Sequence, residues 1–484
     1  MLIVLRIIAT FLAGLFLTVL LAALPTHAQQ HNQHDQHNSQ ENVPDDVIGS
    51  WEGLLDAGLT ELRIVFHLDA DGDSLTALMD SPDQGATGIP VSDATFQDER
   101  LRLTVTAVGG RYEGTLVVEG DSGRSIQGSW SQMGQSFPLT LHPTDASVAL
   151  RERPQHPEPP YPYRTDEVTF DSSPDDIQLE GTLSLPEHGG PHPAVVLVSG
   201  SGPQDRDATL FEHKPFLVLA DHLTRAGIAV LRYDERGVGA SSGTPFPSVT
   251  TEAFARDAAA AVRFLKAHPD VRPESVGLIG LSEGGMVGPQ VHLNHESLAF
   301  LVLLAAPAQT GYDTLVDQLE RIAAAQGMPA ALAETSSASQ RQLLQAVRTA
   351  PDSSAAAQEV AALLKDGRLP DEQIGAQVDQ LTSPWFRYFV AYDPAPALQQ
   401  LDLPVLALYG SNDLQVHPDV HAGPLRDALS ATPDATVSVL DGLNHLFQPA
   451  ETGLPTEYGQ IETTIAPEAL RQITTWIQER TALP

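Results

Sequence analysis

Residues 275–288 read Ser-Val-Gly-Leu-Ile-Gly-Leu-Ser-Glu-Gly-Gly-Met-Val-Gly, and this stretch decides the fold. The apolar run 275–279 has the length and composition of a short buried strand, and Gly284, Gly285 and Gly288 let a helix begin close against it. Between the two, Gly280-Leu281-Ser282-Glu283-Gly284 places a serine in a strand-to-helix turn with small residues on both sides. Such a turn holds the serine in strained backbone angles and projects its hydroxyl away from the sheet, which makes Ser282 a candidate nucleophile. Gly and Ser are common residues, so the five-residue pattern alone fits an ordinary strand-helix turn equally well.

A serine hydroxyl becomes nucleophilic only when a neighbouring base takes its proton, so the rest of the chain must supply a histidine and an acid to orient it. The apolar strand 403–409 runs into Gly410-Ser411-Asn412-Asp413, and the strand 436–440 runs into Asp441-Gly442-Leu443-Asn444-His445. Asp413 and His445 thus both follow strand ends, and the chain order Ser, Asp, His is that of α/β hydrolases rather than of chymotrypsin or subtilisin. Taken singly, Asp413 is equally a turn-former and His445 one histidine among seventeen. Asp402, Asp441 and His417 compete for the same roles, but Asp402 precedes its strand and Asp441 reads as a turn residue. The oxyanion that forms when a serine attacks a carbonyl needs backbone N–H donors, one from the residue after the nucleophile and one from the loop after an earlier strand. Glu283 supplies the first. The second is assigned to Ser201, with Gly202 as the alternative, in the small-residue loop Ser199-Gly200-Ser201-Gly202 that follows the strand 194–198. Asp205, Arg206, Asp234 and Arg236 are expected to brace this loop and the one after strand 228–231 by ion pairing.

Together the stretches SGSGPQDRD (199–207), LRYDERGVGASSG (231–243), GLSEGG (280–285), SPWFRYFVAYDPAPAL (383–398), GSNDLQV (410–416) and LNHLFQ (443–448) carry a family resemblance. The chain from about residue 165 onward resembles an α/β hydrolase of the EstD-type carboxylesterase group, the serine aminopeptidase-like hydrolases. The resemblance implies a mostly parallel sheet with helices on both faces and hydrolysis of small-molecule carboxylic esters through an acyl-enzyme, with Ser282, Asp413 and His445 as the triad. No organic cofactor and no metal is implied. A small-residue loop stands where many lipases carry a His-Gly pair, so the choice between Ser201 and Gly202 stays open. A peptidase or thioesterase using the same triad is the alternative within catalysis, and a secreted ligand-binding protein acting through its β-domain is the alternative outside it.

The remaining sequence is parsed into segments. Residues 1–28 carry Arg6 and then an apolar stretch without Asp, Glu, Lys or Arg, ending in Thr26-His27-Ala28. This is the pattern of an export signal, giving a periplasmic or extracellular protein, with membrane contact only if the segment stays uncleaved. No cysteine occurs, which removes thiol catalysis and disulfides. With 62 acidic against 27 basic residues the net charge is −35, which repels phosphate backbones and makes nucleic acid an unsuitable partner. The oligomeric state is not legible. Residues 29–46, rich in His, Gln and Asn, read as a flexible linker, in which His31, His34 and His37 have no fixed geometry for a metal.

From 47 to 145 the pattern alternates with period two, as in Leu62, Ile64, Phe66 and Leu68, and again in Leu101, Leu103 and Val105. This predicts a small all-β domain, a sandwich or lipocalin-like barrel, with a structural rather than ligand-binding role. Asp69, Asp71 and Asp73 read as a hairpin, because Gly72 falls too early for a calcium loop. A proline-rich segment, 146–164, reads as a stiff linker to the hydrolase domain at 165–484. Strands alternate with helices there except at 309–382, where Ala- and Gln-rich helical stretches predict a cap over the nucleophile. Trp385, Phe386, Tyr388 and Phe389 are the densest aromatic group, of which one or two are expected to line the pocket.

Overall fold

The computed structural model describes residues 44, 46–56, 61–71, 74–82, 86–105, 108–119, 123–132, 135–144, 153–244, 246–367, 369 and 371–482. The signal expected at 1–28 and the histidines at 31, 34 and 37 lie outside the described residues, as do Gly72 and Asp73. Among the described residues, no helix is long and apolar enough to cross a membrane. The chain divides into two compact units, the smaller ending at Glu152 and the larger running from Arg153 to Pro484.

The smaller unit is all antiparallel. Its strands are β1 (Gly49–Asp56), β2 (Glu61–Asp71), β3 (Ser74–Ser81), β4 (Ala86–Pro90), β5 (Asp93–Gln97), β6 (Arg100–Val105), β7 (Gly110–Glu119), β8 (Gly123–Gln132) and β9 (Gln135–Pro143). They form one nine-stranded sheet in the order β4-β3-β2-β1-β9-β8-β7-β6-β5. The two outer strands follow one another in the chain, and their junction is pinned to both flanks by Val91 N–H on Ala77 O and Ser92 N–H on Thr104 O. The sheet therefore curls toward closure. Alternation sends one face inward, where Trp51, Phe66, Tyr112 and Trp130 are at most 1% exposed and fill the interior, as expected of a small barrel. Tyr112 Oη donates to the carbonyls of Ile126 and Leu139, so its polar tip is satisfied inside. Asp71 pairs with Ser74 across the β2–β3 ladder, so the acidic stretch beginning at Asp69 belongs to an antiparallel hairpin.

The larger unit opens with β10 (Tyr163–Ser172), β11 (Ile177–Pro186) and β12 (His192–Val198), then α1 (Pro215–Arg225), β13 (Ala229–Tyr233) and α2 (Thr251–Ala267). Next come β14 (Val271–Leu281), α3 (Gly284–Asn294) and β15 (Leu301–Leu304). Four helices follow before the next strand of the sheet: α4 (Gly311–Ala325), α5 (Ala330–Thr349), α6 (Ser353–Asp366) and α7 (Asp371–Leu381). The chain then forms α8 (Pro384–Ala391), α9 (Ala395–Leu398), β16 (Val405–Gly410), α10 (Pro418–Ala428), β17 (Ala435–Leu440) and α11 (Pro467–Thr481). The eight strands order as β10-β11-β13-β12-β14-β15-β16-β17. β10, β11 and β13 pair antiparallel, and every pair from β13 onward is parallel. β13, β15 and β16 are buried at every position, the continuous apolar pattern of strands covered on both faces.

After β12 the chain crosses to β13 on one side and then returns to place β14 on the other. This reversal opens a crevice at the C-terminal ends of β12 and β14, the place where ligands bind in open parallel sheets. The loop 199–204 and Ser282 both lie at those strand ends.

The proline-rich stretch is a departure from expectation. From residue 153 onward it is part of the larger unit rather than a free spacer, because Arg153, 8% exposed, donates to the carbonyls of Phe211 (2.9 Å), Gly459 (3.0 Å) and Ile461. Gln155 adds bonds to Ile465 O and to the N–H groups of Thr464 and Ile465. Phe211 lies 58 residues downstream and the other backbone groups 306 to 310, and nothing local in the sequence announces them.

Candidate active site

Ser282 sits between β14 and α3 with φ 53°, the left-handed region that a residue with a side chain seldom adopts. Its N–H is held by Leu304 O at 2.8 Å, and its carbonyl accepts from Gly285 N–H at 2.9 Å. The neighbouring glycines make the turn possible. A Cβ on Gly280 would run into the carbonyl oxygen of Gly284, and one on Gly284 would run into that of Val198. Strand, turn and helix therefore close on one another with no room for a methyl group.

Asp413 follows β16 and is fully buried; His445 follows β17 and is 6% exposed. His445 Nδ1 and Asp413 Oδ2 are 2.8 Å apart. The other carboxylate oxygen accepts from the N–H groups of Gln415 (2.8 Å) and Val416 (2.9 Å), which fixes the carboxylate plane. Burial alone pushes the Asp413 carboxyl up, but His445 beside it and these two N–H groups hold it below the usual carboxylate range. With the Asp413 carboxylate accepting from Nδ1–H, Nε2 is the nitrogen left free to accept a proton. The His445 loop rests on the end of β16, since a Cβ on Gly410 would strike the carbonyls of Leu443 and Asn444. β15 pairs with both β14 and β16, so the serine turn and the Asp-His pair share one sheet edge. Among the described residues Ser282 and His445 are not joined by a hydrogen bond, a looseness common in unliganded sites.

The loop after β12 reaches the same place. A Cβ built on Gly200 would lie 3.2 Å from Ser282 Cβ and 3.8 Å from its Oγ, so backbone of this loop passes directly beside the serine. Gly202 has φ 108°, open to glycine and not to other residues. Glu283 stands at the N-cap of α3, where its carbonyl accepts from the N–H groups of Met286 (2.8 Å) and Val287 (3.1 Å). Three of the four braces expected from sequence form ion pairs: Arg206 pairs with Asp234 at 2.8 Å and with Glu167, and Arg236 pairs with Asp257 at 2.7 Å and Asp175 at 2.8 Å. Asp205 instead accepts from the N–H groups of Asp207 and Thr209 and from the Thr209 hydroxyl, a local turn contact rather than an ion pair. Asp402, by contrast, pairs with His292 at 2.9 Å, at the opposite end of its strand from Asp413.

Two further residues, and the side chain of Glu283, join the site without having been singled out. Glu235 is 7% exposed; Ser199 Oγ donates to one of its oxygens at 2.5 Å and Gln204 N–H to the other at 3.2 Å, which clamps both ends of the loop 199–204. The Glu283 carboxyl is buried as well, receiving Thr251 Oγ1 at 2.7 Å and Trp385 Nε1 at 3.0 Å to each oxygen. The third, His421, is fully buried on α10; its Nδ1 accepts from Ala308 N–H at 3.0 Å, and burial lowers it to about 4. Glu283 could have been flagged from sequence, because an acid inside the apolar and glycine run 276–288 has nowhere to go but a buried partner.

Comparison with known proteins agrees with this architecture. The family model described as "Serine aminopeptidase, S33" matches residues 212–451, which hold Ser282, Asp413 and His445. Esterase EstD of Thermotoga maritima is 29% identical over 299 residues, covering 60% of this chain and 65% of the esterase. Thiohydrolase aneE of Aspergillus aculeatus is 34% identical over 114 residues, 23% of this chain and 32% of its own length. The chain thus spans less than two thirds of the length of either relative. The solved α/β hydrolase GrgF of Penicillium sp. sh18 is 18% identical, with 66% of this chain and 100% of that chain covered at a TM-score of 0.42, too low to add weight to the strand order itself.

Proposed function

Because the chain belongs to the α/β-hydrolase superfamily, we propose that it is a serine carboxylesterase acting on small esters through Ser282, His445 and Asp413. The observation that carries this is the left-handed Ser282 on the same sheet edge as a buried Asp413–His445 pair at 2.8 Å. His445 Nε2 takes the serine proton as Oγ attacks the ester carbonyl, and Asp413 holds the imidazole and stabilises its charged form. The N–H groups of Glu283 and Ser201 receive the oxyanion, with Gly202 the alternative second donor. His445 then returns the proton to the departing alcohol, water enters, and the same base drives deacylation. Proton transfer, attack and charge stabilisation are all performed by this chain's own groups.

The test is Ser282→Ala assayed on p-nitrophenyl acetate and butyrate. Turnover is expected to fall by roughly 10⁴-fold or more with folding intact, and retained hydrolysis would remove the assigned nucleophile. The thiohydrolase similarity favours one second reading, cleavage of thioesters by the same residues. A panel of matched oxygen esters and thioesters separates the two by their kcat/KM values. Export through residues 1–28 is part of the proposal, and N-terminal sequencing of the protein recovered outside the cytoplasm checks it.

A further inference from the structure

Glu283, the residue after the proposed nucleophile, carries a carboxyl group that the reaction as written does not use. It is 3% exposed, and the groups bonded to it are neutral: Thr251 Oγ1 at 2.7 Å, Trp385 Nε1 at 3.0 Å to each oxygen, and the Ser201 hydroxyl. The charged and titratable groups on the elements packed around it point elsewhere or share its sign. Arg387 on α8 donates to the carbonyls of Val347 and Ala350. Glu252 on α2 is exposed and acts on Tyr388. Glu235, under the loop 199–204, is a second buried acid that Glu283 itself disfavours from ionising.

Two consequences follow from this placement. Trp385 stacks on Phe389 at 5.3 Å and packs against Phe246 at 4.7 Å and Phe386 at 5.9 Å, so whatever holds its indole holds the aromatic helix that follows the cap. The same carboxyl touches the side chain of Ser201 and belongs to the residue whose N–H is the other proposed oxyanion donor. A negative charge there opposes the charge that develops in the transition state. We propose that Glu283 is a positioning residue of this site: its carboxyl, acting through Trp385 and Ser201, docks α8 on the nucleophile turn and sets the field at the oxyanion donors. The proposal rests on the serine-esterase reading above.

The site is balanced between the neutral and the ionised carboxyl. Thr251, Trp385 and the Ser201 hydroxyl all bond to it. Burial pushes Glu283 up, toward this neutral form, and the bonds from Thr251, Ser201 and Trp385 pull the other way. Ionisation as pH rises therefore puts charge beside the oxyanion site.

The experiment is a pH profile of kcat and KM for p-nitrophenyl butyrate with the full chain, its Glu283→Gln, Trp385→Phe and Ser282→Ala variants, and circular dichroism on each. In the unmodified protein kcat is expected to fall by about tenfold or more on the alkaline side. Glu283→Gln, an amide in place of the neutral acid, flattens that fall. Trp385→Phe removes a donor that favours the ionised carboxylate, so it moves the fall to higher pH and raises KM more than it lowers kcat. An unmodified profile with no alkaline fall, or the same fall in Glu283→Gln, overturns the proposal. If Glu283→Gln does not fold, an unmoved fall in Trp385→Phe overturns it alone. Turnover persisting in Ser282→Ala defeats the esterase reading itself, whereas an inactive Ser282→Ala with unmoved profiles in the other two defeats only the role of Glu283.

Discussion

The turn at Ser282 works because each of its neighbours lacks something. Gly280 and Gly284 lack side chains where carbonyl oxygens pass, and the left-handed serine between them donates its N–H to Leu304 O and accepts from Gly285 N–H. Gly280→Ala is expected to destabilise the larger unit by about 2–4 kcal/mol and to lower kcat with it, readable as a paired loss in denaturant midpoint and turnover. Asp413→Asn tests a different property. The amide no longer selects the imidazole tautomer that leaves Nε2 free, so kcat is expected to drop by roughly 10⁴-fold while the melting curve moves little. These residues were legible in the sequence because each sits at a strand end marked by glycines. Glu235 and Thr251 were not, since Glu235 meets the Ser199 hydroxyl, and Thr251 the Glu283 carboxyl, only once separate segments have converged on one strand edge.

Among the elements, α8 is the one on which the site leans most. It opens with Ser383, whose Oγ accepts from Phe386 N–H at 3.3 Å, and with proline at its first position, where the missing N–H costs nothing. Ser383→Ala is expected to cost about 1 kcal/mol and to speed amide hydrogen exchange over 384–391, with KM rising as the aromatic helix frays. The helical insertion at 309–382 could be read from its Ala-rich composition, and α4 to α7 occupy it. Which aromatic residue bonds to the nucleophile turn could not be read, because Trp385 and Glu283 are 102 positions apart and meet only when the insertion folds back. The same physics hid the anchoring of Arg153. Proline content predicts stiffness, but a guanidinium's backbone acceptors are set by tertiary structure alone.

For the whole molecule, acid sensitivity follows from two buried histidines. His213 and His421 are both lowered to about 4, the first by burial and then by Arg153, the second mainly by burial. A depressed histidine stabilises the fold above its unfolded value near 6.5, and that stability is lost as pH falls through the folded value. Melting temperature is therefore expected to fall between about pH 6.5 and pH 4, by roughly 5 °C or more, with the steepest part before the carboxylates protonate. His213→Gln should shrink the slope in that window. A flat melting temperature there would contradict the burial assigned to both rings.

The tie between Trp385 and Glu283 also has an optical consequence. The chain holds four tryptophans. Trp51 gives its N–H to the Val47 carbonyl and Trp130 to the Gln132 amide, while Trp476 lies under the Arg480 guanidinium, whose carbon is 4.0 Å from the ring centre. Trp385 gives its N–H to a carboxyl that can ionise. A chain stripped of the other three indoles would carry an internal fluorophore whose emission colour tracks the proton on its neighbour, so a titration in the fluorimeter could follow the charge beside the nucleophile with no substrate present.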